Sequence, residues 1–314
     1  MLNKLLLIDF DQNSFDKKYL DRLKVLFKAV EFTKSDDPVN SQKIQDAEAL
    51  LVQMSTRIDK QIIDGAPKLK YVGVQATAFN AIDAAYAKTK GITVCNLGGY
   101  STEAVSEFFY AVLLGYLREL ERAKQQAKKE NLEFLSFSGM ELKDKTLGVV
   151  GAGKIGGRIA EIGTGFGMNV LYFSRENKPN LDKNGAKKVE LDELLSQSDI
   201  VSLNLLLNKE TERIISKEKI ALLKNGAVFI SLAPPLLLDQ EAMIEAANNG
   251  KVTFIFDHSD DIDNNLLKKL LSAKNVITYP PTAFRTNEAG TARWEILVTN
   301  LEKFIKGTPQ NVVN

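Results

Sequence analysis

One cysteine and one histidine among 314 residues, Cys95 and His258, restrict the chemistry open to this chain. A single cysteine excludes an internal disulfide and a thiolate metal cluster, and its apolar surroundings at Ile92–Cys95 are typical of a buried, inert thiol. No apolar run is long enough to span a bilayer, and the amino-terminal segment meets Asp9 and Asp11 too soon for a signal peptide. We therefore expect a cytoplasmic protein with no membrane partner and no bound metal.

An excess of charge of one sign is missing as well. Lys and Arg number 41 and Asp and Glu number 40, which leaves a formal charge of +1. A broad nucleic-acid or membrane surface needs a clear basic excess, so we expect no nucleic-acid partner. The chain is long, at 314 residues, and 44% of its residues are apolar. Length and composition together predict a large apolar core divided between two domains.

The stretch Thr146–Arg175 has the pattern strand, glycine turn, helix and strand, with glycines spaced G-x-G-x-x-G. In such a turn the first glycine permits a sharp reversal, the second lets the backbone approach a pyrophosphate, and the third lets helix and strand pack closely. The amino terminus of the helix adds free N–H groups and a partial positive charge. The pattern predicts a dinucleotide site with contacts from Gly151, Gly153, Lys154, Ile155, Gly156, Ser174 and Arg175.

The residues after the second strand favour NADP(H) over NAD(H). An NAD site usually has Asp or Glu there, about 20 residues past the glycines, to bind the ribose 2′-hydroxyl. This chain has Ser174 and Arg175, with Lys178 close by. An acidic residue would repel a 2′-phosphate, whereas Ser and Arg can bind one. The alternative is that Arg175 is a solvated surface residue and that Glu176 contacts the ribose.

Strands and helices alternate on both sides of this stretch, which predicts parallel α/β sheets. We expect helices at Phe15–Ala29, at Ser101–Glu130 and over most of Thr211–Leu223. The Ser101 helix carries a wide apolar face that fits either core packing or a dimer interface. That face consists of Val105, Phe108, Phe109, Val112, Leu113 and Tyr116.

Several blocks resemble the D-2-hydroxyacid dehydrogenase family, in family order and across nearly the whole length. They are LKYVGVQATAFNAIDAAYAKTKGITVCNLGGYSTEAVSE, LGVVGAGKIGGRIA, SLNLLLNKETERII, NGAVFISLA, IFD and the tail RWEILVTNLEKFIKGTPQNVVN. The ATAFNAID segment is most similar to glycerate or hydroxypyruvate reductases. The resemblance implies reversible hydride transfer between NAD(P)H and a small 2-keto or 2-hydroxy acid, or another carbonyl.

The resemblance also implies two Rossmann-like domains with doubly wound parallel sheets, of which the substrate domain is flavodoxin-like. Residues 1–99 with 288–314 would form a discontinuous substrate domain, residues 100–287 the dinucleotide-binding domain, and the Ser101 helix the contact of a homodimer. Further cofactor contacts implied by the family are Asn204, Leu205, Thr211, Leu232, Ala233 and Asp257, and the implied substrate loop is Ala76, Thr77 and Ala78. On residue chemistry alone, Thr211 also fits a helix N-cap and Asp257 a strand-end hydrogen-bond acceptor.

The catalytic positions depart from the family. Reduction of a 2-keto acid needs a cation to clamp the carboxylate and an acid to protonate the new alkoxide. The family uses Arg and His for these tasks, with a Glu to orient the His. The matching positions here hold Pro234, Pro281 and, by strict spacing, Ile262, whose acidic neighbours are Asp260, Asp261 and Asp263. Proline has no side-chain donor and no backbone N–H, so it performs neither task.

Weak candidates for the missing groups are His258, Tyr279 and Tyr100 as acids and Arg285 as the anion clamp. Each has a plainer interpretation, because Tyr is more often a packing residue and Arg is usually solvated. Two functions stay open: an oxidoreductase with a different proton donor, and an inactive relative that binds NAD(P)H as a sensor or partner-binding scaffold. A substrate without a carboxylate would also explain the loss of the arginine.

Overall fold

The computed structural model describes residues 2–13, 15–37, 40–258 and 262–314. Its contacts divide the chain into a first unit, Met1–Ser101 with Thr286–Asn314, and a second unit, Thr102–Arg285. Each unit is an α/β structure around one parallel sheet, so the α/β class that the sequence predicts is confirmed. No helix in the described ranges combines the length and the apolar character that a membrane crossing requires.

The first unit contains a five-stranded sheet. Its strands are β1 (Leu2–Ile8), β2 (Phe27–Thr33), β3 (Ala49–Val52), β4 (Tyr71–Val74) and β5 (Thr93–Cys95). Their order in the sheet is β2-β1-β3-β4-β5, which is the flavodoxin-like order. The helices are α1 (Lys17–Leu26), α2 (Asn40–Gln45), α3 (Lys60–Asp64), α4 (Ala84–Thr89) and α13 (Asn287–Ile305).

The strands β3 and β4 are apolar along their length because both faces of the sheet are covered there. Every residue of β3 and β4 is buried, as expected for a parallel sheet between two layers of helices. The helix α13 returns from the far end of the sequence to cover one face. There the ring of Phe304 lies 4.9 Å from that of Tyr71, and Asn300 Nδ2 donates to Asn96 O at 2.9 Å.

The second unit contains a seven-stranded sheet. Its strands are β6 (Thr146–Val150), β7 (Asn169–Phe173), β8 (Lys187–Lys188), β9 (Ile200–Leu203), β10 (Ala227–Ser231), β11 (Val252–Phe256) and β12 (Val276–Thr278). Their order is β12-β11-β10-β9-β6-β7-β8. The winding direction therefore reverses between β6 and β9, and in doubly wound sheets ligands bind at that point. The helices are α5 (Thr102–Leu117), α6 (Leu120–Lys128), α7 (Lys154–Gly165), α8 (Pro179–Lys183), α9 (Leu191–Gln197), α10 (Lys217–Leu222), α11 (Gln240–Asn248) and α12 (Asn264–Ser272).

Two of the predicted helices end earlier in the structure than the sequence predicts. The helix expected to reach Ala29 ends at Leu26, and β2 begins at the next residue. The helix expected over Ser101–Glu130 breaks into α5 and α6 at Glu119, whose φ of +48° is left-handed. Most of the apolar face of α5 packs inside the second unit, where Phe109 and Leu113 belong to its core. The dimer contact proposed for this helix stays a prediction.

The helix expected over most of Thr211–Leu223 is also wrong for its first half, since only α10 is helical. Arg213 has a φ of +52°, which interrupts a right-handed helix. The Thr211 hydroxyl donates to Leu206 O at 2.6 Å and accepts from the Asn208 N–H at 2.8 Å. Thr211 is therefore the closing residue of a loop, not a helix N-cap.

Candidate functional site

The first glycine of the turn reverses the chain at the end of β6. Gly151 has a φ of +94°, a conformation that residues with a Cβ rarely adopt. Its N–H donates to Phe173 O at 2.9 Å, which fixes the turn to the end of β7. A Cβ at Gly151 would lie 3.0 Å from Asn204 O, just past β9. The turn thus lies at the point where the sheet reverses its winding.

The other two glycines of the motif have different surroundings. A Cβ at Gly153 would meet no atom within 4 Å, so the backbone there borders open space. A Cβ at Gly156 would lie 2.1 Å from Gly151 O, so α7 can begin against the turn only without one. No side chain caps the first turn of α7, which follows Gly153. An uncapped helix amino terminus facing open space attracts anions.

A cavity of about 480 Å³ lies beside this helix terminus. Its lining residues are Thr102, Ala152, Gly153, Lys154, Gly157, Arg158, Glu161, Lys178, Pro179, Asn180 and Leu181. Three of these are basic, and one of the three, Arg158, is engaged by Glu103 and Glu161 at 2.9 and 3.2 Å. The lining suits a phosphate-bearing ligand.

The end of β7 adds an exposed basic surface. Ser174 is half-buried and Arg175 is exposed. The side chain of Glu176 is 85% exposed and pairs with Lys178 Nζ at 3.6 Å. Because Lys178 also lines the cavity, the residues that the sequence proposes for a 2′-phosphate lie next to the glycine turn.

The residues after β9 and β10 also meet this end of the sheet. Asn204 lies against Gly151, and its Nδ2 donates to Ser202 Oγ at 2.9 Å. Leu205 Cδ2 is 2.8 Å from the position of a Cβ at Gly151. After β10, Leu232 is half-buried and Ala233 is buried. The structure thus brings Asn204 and Leu205 to the glycine turn.

Pro234 and Pro281 are the two prolines that the resemblance assigns to the family's catalytic positions, and this assignment stays a prediction. Pro234 precedes a short 3₁₀ turn at Pro235–Leu237. Pro281 lies in the loop after β12, and that loop is held by Asp257, whose Oδ2 accepts from the Ala283 N–H at 3.1 Å. Asp257 is 1% exposed. It is a strand-end acceptor, as its residue chemistry suggests, and contact with a cofactor stays a prediction.

The three catalytic candidates of the second unit are His258, Tyr279 and Arg285, and none of them has surroundings that indicate catalysis. His258 is half-buried, with Nε2 3.8 Å from Asp257 Oδ1. Tyr279 packs edge-on against Phe108 with ring centres 5.7 Å apart. Arg285 is exposed.

The residue that strict spacing assigns to the family Glu is apolar. Ile262 is buried, and Asp263 caps α12 by accepting from the Asn265 N–H at 2.9 Å. Asp260 and Asp261 lie outside the described residues. Within the described ranges no group of three or more His, Cys, Asp or Glu side chains could hold a metal ion.

The predicted substrate loop belongs to the first unit and is tied to the end of β5. Thr77 Oγ1 donates to Leu97 O at 3.2 Å, and Asn96 Nδ2 donates to Thr77 O at 2.7 Å. Ala76 is buried and Ala78 is exposed. The backbone of this loop is therefore positioned by β4 and β5, and a methyl group stands at each place where the resemblance implies glycine.

Tyr100 has a neighbour that the sequence candidates omit. Burial raises the pKa of the Tyr100 phenol, and the charge of Arg293 and a hydrogen bond with Ser101 oppose that rise. Arg293 Nε and Gln75 Nε2 are enclosed and have no hydrogen-bond partner among the described residues. A signal for Arg293 exists in the sequence, because it lies four residues from both Ala289 and Leu297 in an apolar stripe.

These observations fit a nicotinamide dinucleotide in the second unit. The open backbone at Gly153 and the uncapped start of α7 would hold the pyrophosphate, with Lys154 beside it. The basic cavity lining would hold a ribose phosphate. Neither a Cβ nor an acidic cap obstructs the terminus.

Comparison with known proteins agrees with this geometry. The family model described as the NAD binding domain of D-isomer specific 2-hydroxyacid dehydrogenase matches residues 110–283, more than half of the chain. The chain is 34% identical to a hydroxypyruvate reductase of Blautia hydrogenotrophica over 281 residues, 87% of this chain and 86% of that protein. It is 33% identical to a glyoxylate reductase of Thermococcus litoralis over 286 residues, 87% of this chain and 85% of that protein.

Solved structures extend the similarity to the whole fold. A D-lactate dehydrogenase from Aquifex aeolicus, complexed with NAD and lactic acid, superposes with a TM-score of 0.84 at 29% identity over 97% of this chain and 96% of that one. An acyclic imino acid reductase in complex with NADPH and D-Arg gives a TM-score of 0.85 at 26% identity over 99% and 100% of the two chains. The glycine turn lies at the carboxyl end of β6, the family model matches the cofactor domain, and relatives align with most of the chain. The chain therefore belongs to the D-isomer specific 2-hydroxyacid dehydrogenase family of NAD-binding oxidoreductases.

Proposed function

We propose that this protein is a reductase that uses NADPH to reduce a small 2-keto acid, and that it runs the reverse oxidation of the 2-hydroxy acid. The observation that carries the proposal is the unobstructed glycine turn, in a chain that matches a hydroxypyruvate reductase along most of its length. In this proposal the second unit binds the cofactor and the first unit binds the substrate. The bound nicotinamide would supply the hydride.

The residues of the second unit would bind the cofactor and keep it in place. The N–H groups at the start of α7 and the ammonium of Lys154 would receive the pyrophosphate, because the backbone at Gly153 borders open space and Lys154 lines the cavity beside it. Asn204 and Leu205, adjacent to Gly151, would contact the dinucleotide beside the turn. Leu232, Ala233 and Asp257 would border its nicotinamide end, and Thr211 would act only through the loop that it closes.

The preference for NADPH rests on the end of β7. Ser174, Arg175 and Lys178 supply hydrogen-bond donors and positive charge, and the one acid of this segment, Glu176, is exposed and paired. Titration of intrinsic fluorescence with NADPH and with NADH tests the preference directly. Arg175→Asp should weaken NADPH binding and leave NADH binding nearly unchanged, since only NADPH carries the 2′-phosphate. Tighter NADH binding by the wild type would reject the preference.

A 2-imino acid is a second candidate substrate, favoured by the proline at residue 281. Hydride addition to a ketone leaves an alkoxide that must be protonated, and loss of a general acid costs about 10²- to 10⁴-fold in rate. Hydride addition to a protonated imine leaves a neutral amine, so no acid is required. The structural similarity to an acyclic imino acid reductase supports this reading of the pocket.

The test is NADPH oxidation with glyoxylate, hydroxypyruvate and pyruvate, each alone and each with an excess of methylamine to form the imine. Turnover of the acids alone supports the first proposal, and turnover that requires the amine supports the second. NADPH binding without turnover on either set would favour the inactive sensor or scaffold. Absence of binding of both NADPH and NADH would reject all three.

A further inference from the structure

Arg293 occupies a position in α13 that ordinarily excludes charge. It lies four residues after Ala289 and four before Leu297, so the three residues share one face of the helix. Ala289 is 3% exposed and Leu297 is fully buried. That face is the one that packs on the sheet of the first unit, as the Phe304 and Asn300 contacts show. An arginine here gains nothing from packing that Leu or Met would not provide.

The guanidinium of Arg293 lacks the partners that a half-buried arginine normally has. Its Nε is enclosed and makes no hydrogen bond, and no carboxylate of the described residues pairs with it. Buried polar groups are nearly always hydrogen-bonded, so an exception needs an explanation. Arg293 as a residue is only half-buried, so it keeps accessible surface at which a ligand could bind.

The surroundings of Arg293 also point to an anionic ligand. Its charge acts on the Tyr100 phenol, whose pKa is raised by burial. This hydroxyl therefore stays protonated at neutral pH and can donate a hydrogen bond. The first unit holds a second enclosed donor without a partner among the described residues, Nε2 of Gln75, a residue that follows β4 and is 5% exposed. All three side chains belong to the first unit and offer donors. None of them is an acid that would neutralise the site.

We propose that Arg293 binds the carboxylate of the substrate, with the Tyr100 hydroxyl as a second donor, and so replaces the arginine that the family pattern would place at residue 234. The planar guanidinium presents two parallel N–H donors that match a carboxylate. The site accepts a 2-keto acid and a 2-imino acid alike, because both carry that group. The inference rests on the proposed function, since it assigns the substrate site to the first unit.

The first test is the steady-state kinetics of Arg293→Met, which keeps the apolar stem and removes the charge. We expect the KM for the acid to rise about 10- to 100-fold, the size of a lost hydrogen bond to a charged group. The Kd for NADPH should not change. Arg293→Lys should recover part of the loss, because an ammonium keeps the charge without the planar fork. If Arg293→Met fails to fold, Arg293→Lys alone carries the test, with a several-fold rise in KM expected.

Two other arginines serve as rivals and controls. Arg57, in the first unit, is 79% exposed and lies 3.2 Å from Asp59, and Arg285 is exposed in the second unit. Arg57→Met and Arg285→Met should leave the KM unchanged. The proposal is overturned if either of them reproduces the loss, or if Arg293→Met lowers the melting temperature while the KM stays at the wild-type value.

A binding measurement separates this inference from the proposed function. Oxalate, an unreactive dicarboxylate, is titrated calorimetrically into the NADPH complex of the wild type and of Arg293→Met. Binding to the wild type alone supports the site even when no acid is turned over. Equal binding to both proteins, or binding to neither, would overturn it.

Discussion

At the residue scale, two neighbouring glycines of α7 place opposite demands on a methyl group. A Cβ at Gly156 would lie 2.1 Å from Gly151 O, whereas a Cβ at Gly157 would meet nothing within 4 Å. We expect Gly156→Ala to destabilise the second unit by about 1–3 kcal/mol, as overpacking does. Gly157→Ala should instead stabilise it by about 0.5–1 kcal/mol, because Ala loses less backbone entropy in a helix.

Chemical unfolding of the two variants, with NADPH affinity of Gly156→Ala as a second readout, measures this contrast. The affinity of Gly156→Ala should fall as well, since the turn must move away from α7. Equal stability of the two variants would show that the close contact between helix and turn is not the reason for the glycine.

A second residue-scale prediction concerns the proton. If the substrate is a 2-keto acid and protonation limits its reduction, Pro281→His should raise kcat about 10-fold or more, because a general acid is restored. Reduction of a preformed imine should not accelerate, since it needs no proton. The comparison of kcat for glyoxylate with and without methylamine, in wild type and variant, decides between the two substrate classes. An equal gain on both would contradict the role assigned to the missing acid.

Single residues also show how far the sequence predicts the candidate site. The roles expected for Gly151 and Gly156 follow from the motif, because steric requirements of a turn are local. The N-cap alternative for Thr211 fails because its hydroxyl closes a loop within five residues, and threonine hydroxyls bond to nearby backbone in loops as readily as at helix caps. The cofactor contact expected of Thr211 stays a prediction. Arg293 is harder to predict, because its position on the apolar face of α13 becomes evident only from its four-residue spacing to Ala289 and Leu297.

At the scale of elements, the sequence predicts strands better than helix ends. The bounds of β6, β7 and β11 are those expected, since buried parallel strands are continuous apolar runs. Helices fail where the backbone turns left-handed, as at Glu119. Such a residue carries no compositional signal when it is not glycine. The apolar periodicity continues across the break and conceals it.

One carboxylate of the second unit joins the start of β6 to the segment before β9 and to the loop after α10. Asp199 precedes β9, and its oxygens accept from the Thr146 N–H at 2.8 Å and from Lys224 Nζ at 2.9 Å. Burial raises the pKa of Asp199, but these donors outweigh it and hold the pKa below its ordinary value. The stabilisation is therefore complete above the unfolded pKa of about 4 and is lost as the pH falls through the lower folded value.

We expect Asp199→Asn to cost about 1–2 kcal/mol at pH 7, because Lys224 loses a charged partner while the amide still accepts from Thr146. The difference from wild type should shrink below about pH 4, where the wild-type carboxyl becomes protonated. Thermal melts over this pH range measure it. Asp192→Asn, which removes an exposed ion pair with Lys219, is the control and should cost less than about 1 kcal/mol. A pH-independent difference would contradict the role of the Asp199 charge.

At the scale of the whole molecule, the two sheet orders follow from the alternation of strands and helices together with the family resemblance. The last helix, α13, packs on the sheet of the first unit. This contact joins distant parts of the sequence, and hydrophobic periodicity alone does not predict it. The resemblance supplies it because the family returns its chain to the first domain. The assignment of substrate and cofactor to the two units remains a proposal that the kinetic tests address.

The second unit carries apolar side chains that its own core does not cover, and we expect a homodimer to cover them. They are Leu120 (56% exposed), Leu132 (78%), Phe134 (74%) and Leu135 (84%). Three of them lie within four residues of one another in the sequence, and large exposed apolar side chains that lie together on a surface usually mark an interface. They follow α5 in the sequence, so they extend the contact proposed for the Ser101 helix. In a symmetric dimer both protomers use the same surface, so both copies of each side chain would be buried.

Sedimentation of the wild type should therefore give a dimer, and the double variant Phe134→Glu, Leu135→Glu should give a monomer. Each buried Phe or Leu contributes about 1.5–3 kcal/mol, so loss of four copies should weaken the dimer by about 10⁴-fold or more. Val25→Glu, at a 70% exposed site on α1 of the first unit, is the matched control and should stay dimeric. A dimer that survives the double variant would place the interface elsewhere, and a monomeric wild type would leave these side chains without the partner proposed for them.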